Sequence, residues 1–460
     1  MKKLGILLII ISIVISSCKK VDNFKNGINI SNAKVTVNQK LVYKKPTTPD
    51  EIQLVENLKK ITSILKELYK KPNNLRLVDA AIFSKVFRDE SVLLKDLIYP
   101  EAGVLSTDQR FINSAKKWNV DLTNFNNNFW KEVNKMGDPT FTTFLQSLKP
   151  NDEEYSGLIR NMKSTKTYSY QDISIYFPYS ENFTTQVNFI QSDPDKPQIT
   201  TIASATEDAD EGIGFAPYLD MDGIVQYKDI LVNDDYAYNN PTQIIGINSI
   251  EPYDFVTTPS TYSYFPPSDS IDLPNFNIGR SVHMVFIGDV RCTHQYDHLI
   301  SFTGNGGGSE IKFTRSDGYL KLADGQVQAD NFLVDGPPIS RKNIRQHNWI
   351  EWALQWDGDW EADNKEQFFA IYEDDNRNTS TLTASLKTTL KFDSILTGEG
   401  TIGVSLIYKS DDAIIRQTNL KYSSFFALNR VDLEGEIHNG WPVYDKNGSV
   451  SYTLWDKTIY

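Results

Sequence analysis

Two cysteines, Cys18 and Cys292, are all that this chain of 460 residues contains. No disulfide framework holds it together, and a conventional hydrophobic core has to supply its stability. No stripe of basic residues offsets a formal charge of −12. That balance disfavours nucleic acid as a ligand and leaves cations, neutral sugars and peptides compatible. Neither His-Glu-x-x-His nor Gly-x-Ser-x-Gly occurs, which excludes the two hydrolase signatures easiest to recognise. The apolar run from Leu4 to Ile15 is too short to span a bilayer, giving roughly 18 Å of helix against ~30 Å of hydrocarbon. No internal repeat is evident.

That short run is nevertheless the most informative stretch. Lys2 and Lys3 precede it and Ile15-Ser16-Ser17-Cys18 closes it, the pattern of a cleaved export signal. A Cys directly after two small residues resembles the lipobox of bacterial lipoproteins, in which a diacylglycerol alkylates the thiol and the chain is cut before that Cys. Ile15 stands where the family usually has Leu. The resemblance covers residues 1–18 and implies a signal peptide over 1–17, a mature terminus at Cys18, and three acyl chains there, palmitate among them. Each buried methylene contributes ~0.8 kcal/mol, so three chains make a permanent membrane anchor. Lys19 and Lys20, rather than an Asp directly after the Cys, favour the outer membrane of the bacterial envelope and leave its face open.

At 40% hydrophobic and 23% charged, the remainder has ordinary globular composition, and its length calls for two or three domains. Residues 18–47 are polar and basic and read as a lipidated tether. Thr48-Pro49-Asp50-Glu51 then marks a helix start, with Leu54, Leu58, Ile61, Leu65 and Leu68 recurring on one face until Lys70-Lys71-Pro72. Helical patterns follow over Leu75–Phe87, Ser91–Ile98, Asp108–Trp118 and Leu122–Met136, the last ending at Gly137, and Ser106 with Gln109 resembles a second capping box. A helical domain over 48–162 is expected. Alternating patterns at Tyr168–Phe177, Thr184–Ile190 and Ile199–Ala205 open a β-rich domain over 163–257. A proline- and serine-rich linker over 258–274 leads to a β-sandwich-like domain over 275–460. The fold class is therefore α+β.

Ile350, Trp352, Leu354 and Trp356 alternate along a strand that runs into Asp357-Gly358-Asp359-Trp360-Glu361-Ala362-Asp363. Carboxylates two apart at Asp357, Asp359, Glu361 and Asp363 are what a hard cation needs from one short loop, so these four are the candidate calcium ligands. The loop resembles a helix-loop-helix calcium loop only at its start, since Ala362 and Phe368 stand where that family has Gly and Glu. It loosely resembles the acidic loops of calcium-binding C2-type sandwiches. A solvated hairpin turn explains the same residues. If the strands over Trp349–Leu420 run up and down in order, this loop shares an end of the sheet with Asp393 and Glu399.

Other clusters have plainer readings. Glu207-Asp208-Ala209-Asp210-Glu211 and Asp220-Met221-Asp222-Gly223 are acidic turns, and Gly304 to Ser309 fails both phosphate-loop patterns. Cys292, His294 and His298 offer soft ligands or a thiol–imidazole pair, but lack the further ligands or orienting groups either chemistry needs. Asp269-Ser270-Ile271 and Asp393-Ser394-Ile395 resemble short bacterial O-glycosylation acceptors. No catalytic residue is assigned. The function expected is non-catalytic capture of carbohydrate or protein at the envelope, with calcium as a candidate cofactor; the alternative is an envelope hydrolase with dispersed catalytic residues.

Overall fold

The computed structural model describes residues 43–87, 90–149, 173–183, 200–247, 281–304, 306–323, 326–362, 366–373, 379–392, 396–409, 414–428 and 436–459. Cys18, most of the tether, the linker and the strand expected over Thr184–Ile190 lie outside them.

Helix α1 (Pro49–Tyr69) starts as its sequence requires. Thr48 Oγ1 accepts from the Glu51 N–H (3.2 Å), and the Glu51 carboxylate accepts from the Thr48 N–H (3.0 Å). Lys44, 2.7 Å from that carboxylate, together with the Thr47 and Thr48 amides, holds it well below the usual carboxylate range. The Leu54, Leu58, Ile61, Leu65 and Leu68 stripe is buried. Pro72 then opens α2 (Pro72–Phe83).

Where Ser91–Ile98 reads as one helix, the chain divides. Strand β1 (Ser91–Leu93) pairs with β2 (Ile173–Tyr176), and only α3 (Leu94–Ile98) is helical. A partner far along the chain overrides the local pattern there. Helices α4 (Gln109–Trp118) and α5 (Leu122–Met136) occupy their expected places. The cap of α4 is Asp108, accepting from the Arg110 N–H at 2.8 Å, rather than a Ser106–Gln109 box. Helix α5 stops at Gly137, whose φ of +62° suits glycine. A further helix, α6 (Pro139–Ser147), starts on an Asp138 cap.

Strands β3 (Thr201–Ser204), β4 (Glu211–Leu219) and β5 (Val225–Asn233), helix α7 (Asp234–Asn239) and strand β6 (Thr242–Ile247) complete the first half. The sheet order is β1-β2-β6-β3-β4-β5, antiparallel except where β3 lies beside β6. Leu58 and Leu65 of α1 and Phe129 of α5 share one core with Ile175, Ile202 and Ile245 of this sheet.

The second half comprises β7 (Val282–Cys292), β8 (Ile311–Ala323), β9 (Gln326–Asp335), α8 (Arg341–Arg345), β10 (Ile350–Asp357) and β11 (Glu366–Glu373). It continues with β12 (Thr379–Phe392), β13 (Leu396–Lys409), β14 (Ile414–Lys421), α9 (Tyr422–Leu428), β15 (Ile437–His438), β16 (Trp441–Tyr444) and β17 (Val450–Ile459). One antiparallel sheet runs β10-β7-β17-β16-β15 and another β14-β11-β8-β9, while β12 and β13 form a hairpin. The chain is α+β, with helices first and antiparallel sheets later.

The simple up-and-down order is not what forms. Strand β10 pairs with β7, and β11 lies between β14 and β8, so the chain changes sheet between them. Trp352 and Trp356 from one sheet and Phe369 and Ile371 from the other belong to a single core, which is why the connection crosses over.

One buried acid joins the helices to the first sheet. Asp79 of α2 accepts from Gln243 Nε2 (2.9 Å) on β6, and Gln243 Oε1 accepts from the Tyr69 hydroxyl (2.6 Å) on α1. Burial pushes the Asp79 carboxyl up to about 8, so the folded protein keeps it protonated near neutrality. An unfolded Asp ionises near ~3.9, so the folded state binds the extra proton between about pH 4 and 8, and stability falls as pH rises across that window. Asp79→Asn removes the penalty. The variant is expected to be about 2–4 kcal/mol more stable than the parent near pH 7 and indistinguishable near pH 4, read by urea unfolding.

Candidate functional site

The acidic loop after β10 is built inward. Asp357 is buried; its Oδ2 accepts from Gln367 Nε2 and lies 3.4 Å from the Arg315 guanidinium, and its Oδ1 accepts from the Asp359 N–H at 2.9 Å. Arg315 is itself buried and donates from Nε to the Trp356 carbonyl at 2.5 Å. Asp359 Oδ1 accepts from the His283 N–H (3.0 Å), and the Trp360 N–H returns a bond to the His283 carbonyl (2.7 Å). These ties seat the Trp360 ring in the core, 5.3 Å from that of Phe425. Glu361 is partly exposed, and Asp363 lies outside the described residues. Trp352, Trp356, Trp360, Trp441 and Trp455 are buried as well, so these rings serve packing rather than capture.

The second acidic group is divided among structural tasks. Asp208 is buried and accepts from the Ser301 hydroxyl (2.7 Å), the Phe302 N–H (3.1 Å) and the Thr303 hydroxyl (2.6 Å). Asp210 meets the His298 ring at 3.3 Å and accepts from the Tyr43 hydroxyl. Asp220 closes its turn by accepting from the Asp222 N–H (3.0 Å), the Ile224 N–H (2.9 Å) and Gln226 Nε2 (3.0 Å). On either side of Asn305, which lies outside the described residues, Gly304 N–H donates to Ser301 Oγ (3.0 Å), and Ser309 exchanges backbone bonds with Ile339.

Cys292 is buried, and its thiol donates to the His294 carbonyl (3.0 Å) rather than to the ring. Burial pushes that thiol up to about 12, which leaves no thiolate at neutral pH. The His294 ring instead packs edge-on against Tyr296 at 4.8 Å.

Two arrangements escape any reading of spacing. Asp297 and Glu310 from the β7–β8 connection and Glu373 from the end of β11 bring one carboxylate oxygen each to within 4.8 Å of one another. A hard divalent cation takes such a donor set. Asp297 and Glu373 are only 2% and 1% exposed, which closes them to any organic ligand.

The other arrangement is a cleft of about 690 Å³ where the turn between α1 and α2 meets the turn between α4 and α5. Asn73, Asn74, Asn119, Asn124 and Asn128 are among the residues that line it. Asn74 Nδ2 caps the end of α1 by donating to the Leu68 carbonyl (2.9 Å), and its Oδ1 accepts from Asn128 Nδ2 (3.2 Å). Asn119 ends α4 in the left-handed region at φ +52°, turning the chain into the cleft wall. Lys71 and Asp121 are the charged residues in the lining. Lys71 Nζ lies 3.5 Å from Asn128 Oδ1, and Asp121 Oδ1 accepts from the Thr123 N–H (2.8 Å) to cap α5. The signal in the sequence is Asn124, Asn126, Asn127 and Asn128 inside one helix, against the preference of a residue that favours caps and turns.

Compared with protein-family models, with curated proteins and with solved structures, the chain matches none.

Asp357→Asn would remove a carboxylate charge 3.4 Å from the buried Arg315 guanidinium. It is expected to lower stability by about 3 kcal/mol in calcium and in chelator alike, measured by urea unfolding. A parent protein stabilised by calcium, with that increment lost in the variant, would instead assign the loop to the cation.

Proposed function

We propose that the protein is an envelope lipoprotein, held at the bacterial outer membrane through acylated Cys18, that captures a carbohydrate or protein ligand without altering it. The observation that carries the reading is the helical cleft. Its volume falls in the range of small-ligand sites, and amides with both donors and acceptors dominate its lining. Lys71 and Asp121 balance each other there, and neither is paired with a nucleophile or with a second acid in the lining.

The hydrolase alternative draws less support. A concave pocket with paired carboxylates, or Cys292 beside His294, would favour it. The described carboxylate cluster is closed off by burial, and the thiol is directed at a carbonyl.

A second reading, in which the ligand is another envelope protein, is favoured by the β4–β5 hairpin. Ile213, Tyr218, Leu219, Met221, Ile224 and Leu231 are all exposed there, and Ile213 stands directly opposite Leu231 in the register. A patch of this kind is a common mark of protein contact.

Two measurements test the proposal together. Cys18→Ser is expected to abolish palmitate incorporation and move the protein from the membrane to the aqueous fraction; retention in the membrane would refute the anchor. Ligand recovered from the protein after prolonged incubation is expected to have unchanged mass, whereas cleaved product would make the protein a hydrolase.

A further inference from the structure

Resting on the capture reading, we infer that the cleft between the α1–α2 and α4–α5 turns is a binding site for a neutral oligosaccharide, recognised through asparagine amides. A sugar hydroxyl donates one hydrogen bond and accepts others, and a primary amide is the side chain that answers both needs without a charge. The cleft presents several of them on two converging walls: Asn73 and Asn74 at the start of α2, Asn119 at the end of α4, Asn124 and Asn128 on α5.

The charge balance excludes the obvious competitors. An anionic ligand would gain from Lys71 but face Asp121, and a cationic one would meet the reverse. A neutral polar ligand is the class for which the pair is no obstacle, since each can hydrogen-bond a hydroxyl. An apolar ligand finds only Pro72 and Val120 among the lining residues and would strand the amides without partners.

The walls are also held in place before any ligand arrives. Asn74 is buried and its amide is fixed by Leu68 and Asn128, and the Asn128 amide is held in turn between Asn74 and Lys71. Asn73, Asn119 and Asn124 are exposed and stand on rigid helix ends or helix faces. Their backbones need no ordering on binding, so the cost is confined to the side chains themselves. Five asparagines within α5 are otherwise an expense, because each is a weaker helix former than the residues usual at exposed positions.

The test uses the full chain in a detergent without a sugar headgroup, titrated calorimetrically with maltotriose, cellotriose and chitotriose, and with triglycine, glucuronate and glucosamine as comparators. At least one neutral trisaccharide is expected to bind, with affinity unchanged between low and high salt. Asn124→Ala, and separately Asn73→Ala, are expected to weaken it about tenfold without lowering the thermal unfolding temperature, alanine being the better helix former. Both residues are exposed, so either variant serves if the other is unstable. Trisaccharide binding that survives both substitutions overturns the cleft assignment and leaves the capture reading standing. Binding of triglycine or a charged sugar in preference overturns the ligand class. Binding of none of the six overturns the inference and withdraws the cleft as support for capture, while the Cys18→Ser fractionation still decides the anchor by itself.

Discussion

Asp208 pins the two halves of the body to each other. Its carboxylate is enclosed and takes hydrogen bonds from Ser301, Phe302 and Thr303, while Ala209 and Ile300 exchange backbone bonds beside it. Leu299, Ile300 and Phe302 follow β7 in sequence yet are buried with the helices and the first sheet. A buried carboxylate is tolerated only when donors surround it, and here the donors come from a segment that would otherwise belong to the sandwich. Arg341 of α8 reinforces the junction by donating to Asp234 (3.0 Å) and to the Asp297 carbonyl (2.6 Å). Helices, first sheet and second half consequently form one continuous body within 35–460.

The same economy governs the other acids. Asp357, Asp359 and Asp220 each direct carboxylate oxygens at backbone or side-chain donors of their own loop or its neighbours. Trp360 shows what the first two of these achieve, since the loop that looks solvated from its charge carries a fully enclosed indole. Burying a ring of that size contributes far more than a surface ion pair, so the carboxylates are best understood as the ties that hold the ring in.

The cleft depends on the opposite principle. Its amides stand at helix ends and on a helix face, supported by α1 and α5 packing into the first core through Leu68, Phe125 and Phe129. Hydrophobic burial on the inner faces fixes the spacing of the outer ones, where Asn74 and Asn119 close helix ends and Asn128 bonds to Asn74 and Lys71. Rigid support with adaptable polar groups on its rim is the combination a capture site requires.

Much of the local architecture was legible in the residues alone. The Thr48–Glu51 capping box, the leucine stripe of α1, the Gly137 stop of α5, the helix-to-strand transition along the chain and the α+β class all follow from short-range rules, because caps, periodicity and turn chemistry act within a few residues. Spacing also singled out the acidic loop, but alternation could not tell that Trp360 would turn inward and bring Asp357 and Asp359 with it. The division of Ser91–Ile98, the change of sheet between β10 and β11, the gathering of Asp297, Glu310 and Glu373, and the meeting of two distant turns around the cleft were decided by tertiary structure. Each joins segments far apart in the chain, and the energy that selects such contacts is the burial of a shared core, which no local window of sequence contains.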